Sequence, residues 1–265
     1  MNANRPSLNP RLFPRPPSIE SGTTVDPDEI ARFTALAAEW WDPNGKCRPL
    51  HRLNPVRLRY IRDHLTRHFP GIGTETRPLA GLRLIDVGCG GGLIAEPLAR
   101  MGATVVGIDA AAANVRVAAQ HAADAGVAID YRCTTAEAVA ASDERFDVVV
   151  ALEIVEHVAD LPLFLTALAT MTKPEGMIIL ATVNRTAKSF ALAIVGAEYL
   201  LRWLPRGTHE WRRFRRPSEL AGLLRRHGFA VGDVTGVGYN PLRDEFRLTD
   251  RDLDVNYLLT ARRGP

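Results

Sequence analysis

The chain has 265 residues, 46% of them hydrophobic and 24% charged, which is the globular norm and excludes a disordered chain. Its longest apolar-looking run, residues 190–201, contains Glu198 and falls well short of the ~20 residues that span a bilayer. The net charge is only +3, yet residues 185–226 carry ten basic groups against three acidic ones, so the remainder is net acidic, unlike a uniformly basic nucleic-acid binder.

Residues 1–25 read as a disordered tail. Arg5, Arg11 and Arg15 alternate with prolines, and no apolar core of a secretory signal is present. Residues 26–69 read as an N-terminal helical lid. Asp26 can cap a helix that Pro27, Asp28 and Glu29 begin well, and Ile30, Phe33, Ala37, Trp40 and Trp41 follow as an apolar stripe. Such tryptophans are more often core than substrate box, although a lid above a site would use the same residues. A loop over 42–53 leads to Asn54-Pro55, a second cap-plus-proline start, and a helix to about residue 68. The stretch 70–80 is a Gly, Thr and Pro linker.

From residue 81 to 265 short β-rich runs alternate with helical stretches. Strands are expected at 82–87, 104–108, 129–133, 146–152 and 177–182, with helices notably at 111–125 and 162–171. That alternation predicts an α/β fold with a doubly wound, mostly parallel sheet. Runs at 229–237, 246–248 and 255–261 lack long intervening helices and predict an antiparallel end to the sheet. Cys47, Cys89 and Cys133 are odd in number and have no C-x-x-C spacing, which opposes a disulfide framework or zinc module and fits a reducing cytoplasm.

The first core strand runs into Asp86-Val87-Gly88-Cys89-Gly90-Gly91-Gly92. Glycines at a strand-to-helix turn permit a tight bend and close approach of a ligand to the backbone. A dinucleotide fingerprint wants glycines at relative positions 1, 3 and 6, whereas Gly88, Gly90 and Gly92 occupy 1, 3 and 5. The second strand ends in Asp109, where a carboxylate can bind both hydroxyls of a ribose. Acid-x-G-x-G-x-G followed by an acid at the second strand tip resembles the class I S-adenosylmethionine-dependent methyltransferases. The resemblance implies S-adenosyl-L-methionine as cofactor and opposes an NAD oxidoreductase.

The fourth strand ends Leu152-Glu153-Ile154-Val155-Glu156-His157. In a short helix, Glu153, Glu156 and His157 would share one face, where two carboxylates and an imidazole can hold a divalent ion. His157 alone can instead act as a general base. In a third reading the acids are cap and surface groups and the histidine packs over the cofactor. Glu153 and His157 are the catalytic candidates.

Trp40-Trp41-Asp42-Pro43, the run from Pro49 to Arg57 (Pro-Leu-His-Arg-Leu-Asn-Pro-Val-Arg), Gly196-Ala197-Glu198-Tyr199, Pro205-Arg206-Gly207-Thr208-His209 and Gly238-Tyr239-Asn240-Pro241 resemble the signature of the ubiquinone biosynthesis O-methyltransferases. This likeness runs from about Asp28 to Ala261 and leaves the tail out. It implies methylation of a polyprenylated catechol or quinol, 2-polyprenyl-6-hydroxyphenol and 3-demethylubiquinol. It also implies cofactor contacts at Arg57, Gly88, Asp109 and Leu152, to which the glycine loop adds Gly90, and in some members a magnesium (Mg2+) site at Glu153, Glu156 and His157. Other proteins of ubiquinone biosynthesis are implied as partners.

Residues 185–216 read as an insertion into the methyltransferase core. Within it, 189–203 read as an apolar helix with Arg202, Arg206, Arg212, Arg213, Arg215 and Arg216 at and beyond its end, the pattern of a segment lying on an anionic membrane surface. The plainer alternative is a lid helix with a solvated basic face. The expected location is the cytoplasm, peripherally on the inner membrane face. The rival activities are methylation of another small phenol and a non-catalytic lipid-surface module, which would have no need of a glycine loop with a ribose acid.

Overall fold

The computed structural model describes residues 22–190, 211–240 and 243–264. The tail through residue 21 and residues 191–210 of the basic segment, including the signature stretches 196–199 and 205–209, lie outside the described residues.

Asp26 opens the first helix, α1 (Pro27–Leu36), by accepting the Asp28 amide at 3.1 Å, with Pro27 in the first turn. Its apolar stripe does not enter the core. Ile30, Phe33 and Leu36 line a cleft, and the buried residue of this helix is its acid, Glu29.

The second helix, α2 (Arg48–His68), begins earlier than the sequence predicts. Pro49 takes the first-turn position expected of Pro55, which lies inside the helix. An internal proline costs about 3 kcal/mol because it removes a backbone donor and crowds the preceding turn. Leu53, Val56, Tyr60, Ile61 and Leu65 offset that cost by burial, each apolar side chain contributing roughly 1.5–3 kcal/mol.

The core alternates as expected: β1 (Arg83–Val87), α3 (Ala95–Arg100), β2 (Thr104–Asp109), α4 (Ala112–Asp124), β3 (Asp130–Cys133), α5 (Ala136–Ala140), β4 (Phe146–Leu152), α6 (Leu161–Met171) and β5 (Thr172–Val183). A one-turn α7 (Ala187–Ser189), capped by Thr186, leads into the undescribed stretch. After it come α8 (Pro217–Arg226), β6 (Phe229–Asn240), β7 (Glu245–Thr249) and β8 (Asn256–Arg263). Pro97 sits in the first turn of α3, where its missing N–H has no partner to lose.

The strands form one eight-stranded sheet in the order β3-β2-β1-β4-β5-β8-β6-β7. The first five run parallel, and β8 pairs antiparallel with both β5 and β6, as β6 does with β7. This is the doubly wound sheet with an antiparallel end that the sequence predicts. Alternate side chains of each strand feed two cores on opposite faces. Ile85, Val149 and Ile178 pack with α6 and with Leu220 and Leu224 of α8. Leu84, Val148 and Ile179 pack with Ile61 and Leu65 of α2 and Leu98 of α3.

Candidate active site

The chain leaves β1 toward β2 and β3, then crosses back to β4 and β5, so the direction of winding reverses between β1 and β4. Open α/β sheets bind ligands outside the carboxyl ends of the strands at such a point. A cleft of about 790 Å³ opens there. Its walls are the glycine loop after β1, the tip of β2 and the turn after β4, with α1 and α2 closing over them.

Gly88, Gly90 and Gly92 have φ of +74°, +53° and +87°, backbone that a side chain would strain. The space beside them is in use. A Cβ on Gly90 would meet the Trp40 ring at 2.6 Å, and one on Gly88 would meet Ile154 at 2.4 Å. Trp41 donates its indole N–H to the Gly91 carbonyl at 2.8 Å and stacks on His121 at 3.4 Å. Both tryptophans of the signature therefore cover the glycine loop, half-buried, and neither joins the two sheet cores.

Asp109 closes the loop from the other side. One oxygen accepts the Gly90 amide at 3.0 Å; the other accepts Ala111 N at 2.8 Å and Asn114 Nδ2 at 3.3 Å. Asn114 in turn accepts the Trp40 indole N–H at 2.9 Å. Burial raises the Asp109 pKa, and the two backbone amides work against that rise. Two carboxylate oxygens carry about four lone-pair sites, and with three of them taken one acceptor site remains, on the oxygen that holds the Gly90 amide. Asp86, also on the cleft, is fully buried, and its Oδ2 has no hydrogen-bond partner among the described residues. Burial and the neighbouring Asp109 charge push its pKa up to about 7. A cationic ligand would satisfy it.

The β4 edge departs from expectation. Residues 153–158 form a turn rather than a helix, because Glu153 takes a left-handed φ of 51° while its amide stays tied to the Ala181 carbonyl at 2.8 Å. The expected shared face of Glu153, Glu156 and His157 is therefore not formed. Glu153 pairs with Arg57, Glu156 Oε2 accepts the Thr182 hydroxyl at 2.7 Å, and His157 Nδ1 lies 3.0 Å from Glu29 Oε2. No group of three metal-ligating side chains converges among the described residues. In this arrangement the trio does not fit a metal ion. Glu156 keeps one oxygen unpartnered, and burial with the Glu153 charge pushes its pKa up to about 7. Burial favours the neutral form of His157, but Glu29 and then Glu156 and Glu153 outweigh it and raise its pKa.

Arg57 is one of the most buried charges of the cleft, held by Glu153 and by Asn54 Oδ1 at 3.3 Å. Leu152, at the end of β4, lines the same cleft between the glycine loop and Glu153. The sequence-derived residues are thus brought to one cavity. Sequence reasoning missed Glu29, Asn114 and Thr182, and gave Asp86 no role. Only Glu29 left a signal: it shares a helical face with Phe33 and Ala37, at i, i+4 and i+8, within an otherwise apolar stripe.

Residues 51–234 match the methyltransferase domain family. A ubiquinone biosynthesis O-methyltransferase of Azorhizobium caulinodans is 56% identical over 244 residues, covering 92% of this chain and 96% of that protein. One of the same description from a Chelativorans species is 55% identical, covering 90% of this chain and 94% of its own. Among solved structures, magnesium protoporphyrin IX methyltransferase from Synechocystis PCC 6803 with bound SAH superposes with a TM-score of 0.61 at 18% identity, covering 90% of this chain and 94% of that one. The [4+2]-cyclase SpnF gives 0.54 at 19% identity, covering 77% and 81%. At such identities these two share the fold alone.

Proposed function

Since the chain belongs to the ubiquinone biosynthesis O-methyltransferase family, we propose that it transfers the methyl group of S-adenosyl-L-methionine to a hydroxyl of a polyprenylated catechol or quinol, 2-polyprenyl-6-hydroxyphenol and 3-demethylubiquinol. The observation that carries the reading is one cleft at the switch point with an acid at the β2 tip, Asp109, on one wall and a buried imidazole, His157, on the other. Asp109 takes the ribose hydroxyls, one on its remaining acceptor site and the other in place of the long 3.3 Å contact from Asn114. Gly88 and Gly90 give the donor a close backbone approach, and Leu152 packs against it. Arg57 and Glu153 form an ion pair whose charges match the carboxylate and ammonium of the methionine portion.

In the reaction the acceptor oxygen attacks the sulfonium methyl carbon in line. The C–O bond forms as the C–S pair returns to sulfur, leaving neutral S-adenosylhomocysteine and a proton. His157 takes that proton from the hydroxyl, and the fold supplies positioning and exclusion of water. A magnesium ion at Glu153, Glu156 and His157 would require Glu153 and His157 to leave Arg57 and Glu29, and no step is assigned to it.

The basic segment 189–216 meets an anionic membrane surface in this reading. Two of its described flanks, Phe190 and Trp211, are exposed aromatics in edge-to-face contact at 6.4 Å. Among the described residues no helix is long and apolar enough to cross a membrane. In this reading the enzyme works at the cytoplasmic face, on a substrate whose prenyl tail stays in lipid.

The test is methyl transfer from labelled S-adenosylmethionine to a short-tailed demethylubiquinol, with and without EDTA. Turnover is expected. Its absence, with donor binding intact, would move the acceptor to another phenol. Loss with EDTA and recovery with magnesium would show that the β4 turn rearranges to hold an ion.

A further inference from the structure

The acid of α1 sits where a purely helix-capping residue would have no reason to be. Asp28 and Glu29 both favour the positive end of the helix, yet Asp28 is exposed and Glu29 is buried against the β4 turn. Glu29 Oε2 faces His157 Nδ1 at 3.0 Å, across 128 residues of sequence. The ring is fixed on a second side by Phe33, one helical turn along, in edge contact at 5.0 Å. Glu29 is itself anchored, with Arg32 at 3.2 Å and Arg213 at 3.7 Å from Oε1, while Arg213 also grips the cap Asp26 at 3.0 Å. With two arginines against its other oxygen, the carboxylate acts as acceptor toward the ring. The proton between the two groups therefore belongs to Nδ1. Among the described residues Nε2 has no hydrogen-bond partner, and the ring lines the cleft.

We propose that Glu29 is a positioning residue of the methyl transfer, holding His157 as the Nδ1–H tautomer so that Nε2 presents its lone pair to the acceptor hydroxyl. The proposal rests on the reading of His157 as the proton acceptor. The wrong tautomer would offer the hydroxyl an N–H in place of a lone pair, and the step would have no base. Because Glu29 comes from the N-terminal helix, that helix completes the catalytic apparatus as well as covering it. Arg213, near the end of the basic segment, ties both Asp26 and Glu29 to the same arrangement.

Four variants of the full-length enzyme test this: Glu29→Gln, Glu29→Ala, His157→Ala and the Glu29→Ala/His157→Ala pair. His157→Ala should lower kcat by about 10²-fold or more, the usual worth of a general base. Glu29→Ala should lower kcat by on the order of 10-fold, with the KM for S-adenosylmethionine little changed. Glu29→Gln, whose amide oxygen can still accept from Nδ1–H, should recover part of that loss and is the variant to rely on if alanine disturbs folding. In the pair, removing Glu29 should cost nothing beyond His157→Ala. Selective 15N labelling of histidine, read where the ring is neutral, should show Nε2 unprotonated in the native enzyme and a mixture of tautomers in Glu29→Ala.

Full kcat in His157→Ala would sink the general-base reading, and the proposal with it. A crippled His157→Ala beside a fully active Glu29→Ala, or an unchanged tautomer in Glu29→Ala, would overturn the role of Glu29 alone. So would losses that simply multiply in the pair, since Glu29 would then act by some route other than His157.

Discussion

The two walls of the cleft hold their acids in opposite ways. On the β1–β2 wall, Asp109 is bound by Gly90, Ala111 and Asn114, all within 19 residues of it and all in one β-loop-β-helix unit. On the β4 wall, Glu153, Glu156 and His157 sit in one turn, yet each leans on a different part of the molecule: Arg57 on α2, Thr182 on β5 and Glu29 on α1. On the first wall the contacts to Asp109 are complete once its own unit folds, and Trp40 and Trp41 only cover them. The second is complete only when the N-terminal helices have docked. Donor binding and acceptor chemistry should therefore respond differently to damage.

The strongest break of that comparison is Asp109→Ala. It removes the proposed ribose partner and strands the Gly90 and Ala111 amides, and hydrogen bonds to a charged group are worth about 1.5–3 kcal/mol, so donor affinity should fall roughly 10- to 100-fold. Isothermal titration calorimetry reads this directly, and unchanged affinity would remove Asp109 from the donor site. A milder break is Trp41→Ala, which deletes the bond to Gly91 and the stack on His121. Loosening the N-terminal helices should lower kcat about 3- to 10-fold, since the acceptor wall loses up to about 1.4 kcal/mol of alignment, while donor affinity changes less. Equal losses in both would mean the walls are not separable.

The smallest expected effect sharpens the picture of the donor wall. Asp86 is pushed up to about 7 with an unpartnered oxygen, so near neutral pH the empty site holds a proton there part of the time. A donor carrying a sulfonium favours the ionised carboxylate and lowers that pKa, so binding between about pH 6 and 7 should release a fraction of a proton. Calorimetry in two buffers of different ionisation enthalpy measures it, and heats independent of buffer would exclude Asp86 from contact with the donor's charge. The sign is fixed by the direction of the shift: release fades below that range, where Asp86 stays protonated in both states, and above it, where it is already ionised.

What could be read in advance follows the same divide. The eight strands, the glycine turn and Asp109 were legible because strand alternation and turn chemistry are local signals. The start of α2 was misread because Asn54-Pro55 has the grammar of a helix start, and only burial of Leu53 and Val56 explains why the helix runs through it. A helical β4 edge was expected from i, i+3, i+4 spacing, but the left-handed backbone at Glu153 and the pull of three separate partners override spacing. Glu29 looked like an ordinary dipole acid because its partner lies 128 residues away. Long-range pairing leaves no mark on either local stretch.

The position of β8 bears on how such a sheet can be made during synthesis. It fills the gap between β5 and β6, and Tyr257, Leu258, Leu259 and Ala261 are fully buried there. Of the eight strands it is the latest in the chain. A ribosome that has delivered everything through residue 255 has produced β5 and β6 with exposed edges facing each other and no strand between them. Until the next few residues emerge, the nascent chain carries two unpaired edges and half an apolar core, the state in which sheets join to one another. Chaperone dependence, or aggregation of chains halted just before residue 256, is the trait this wiring would impose on the cell.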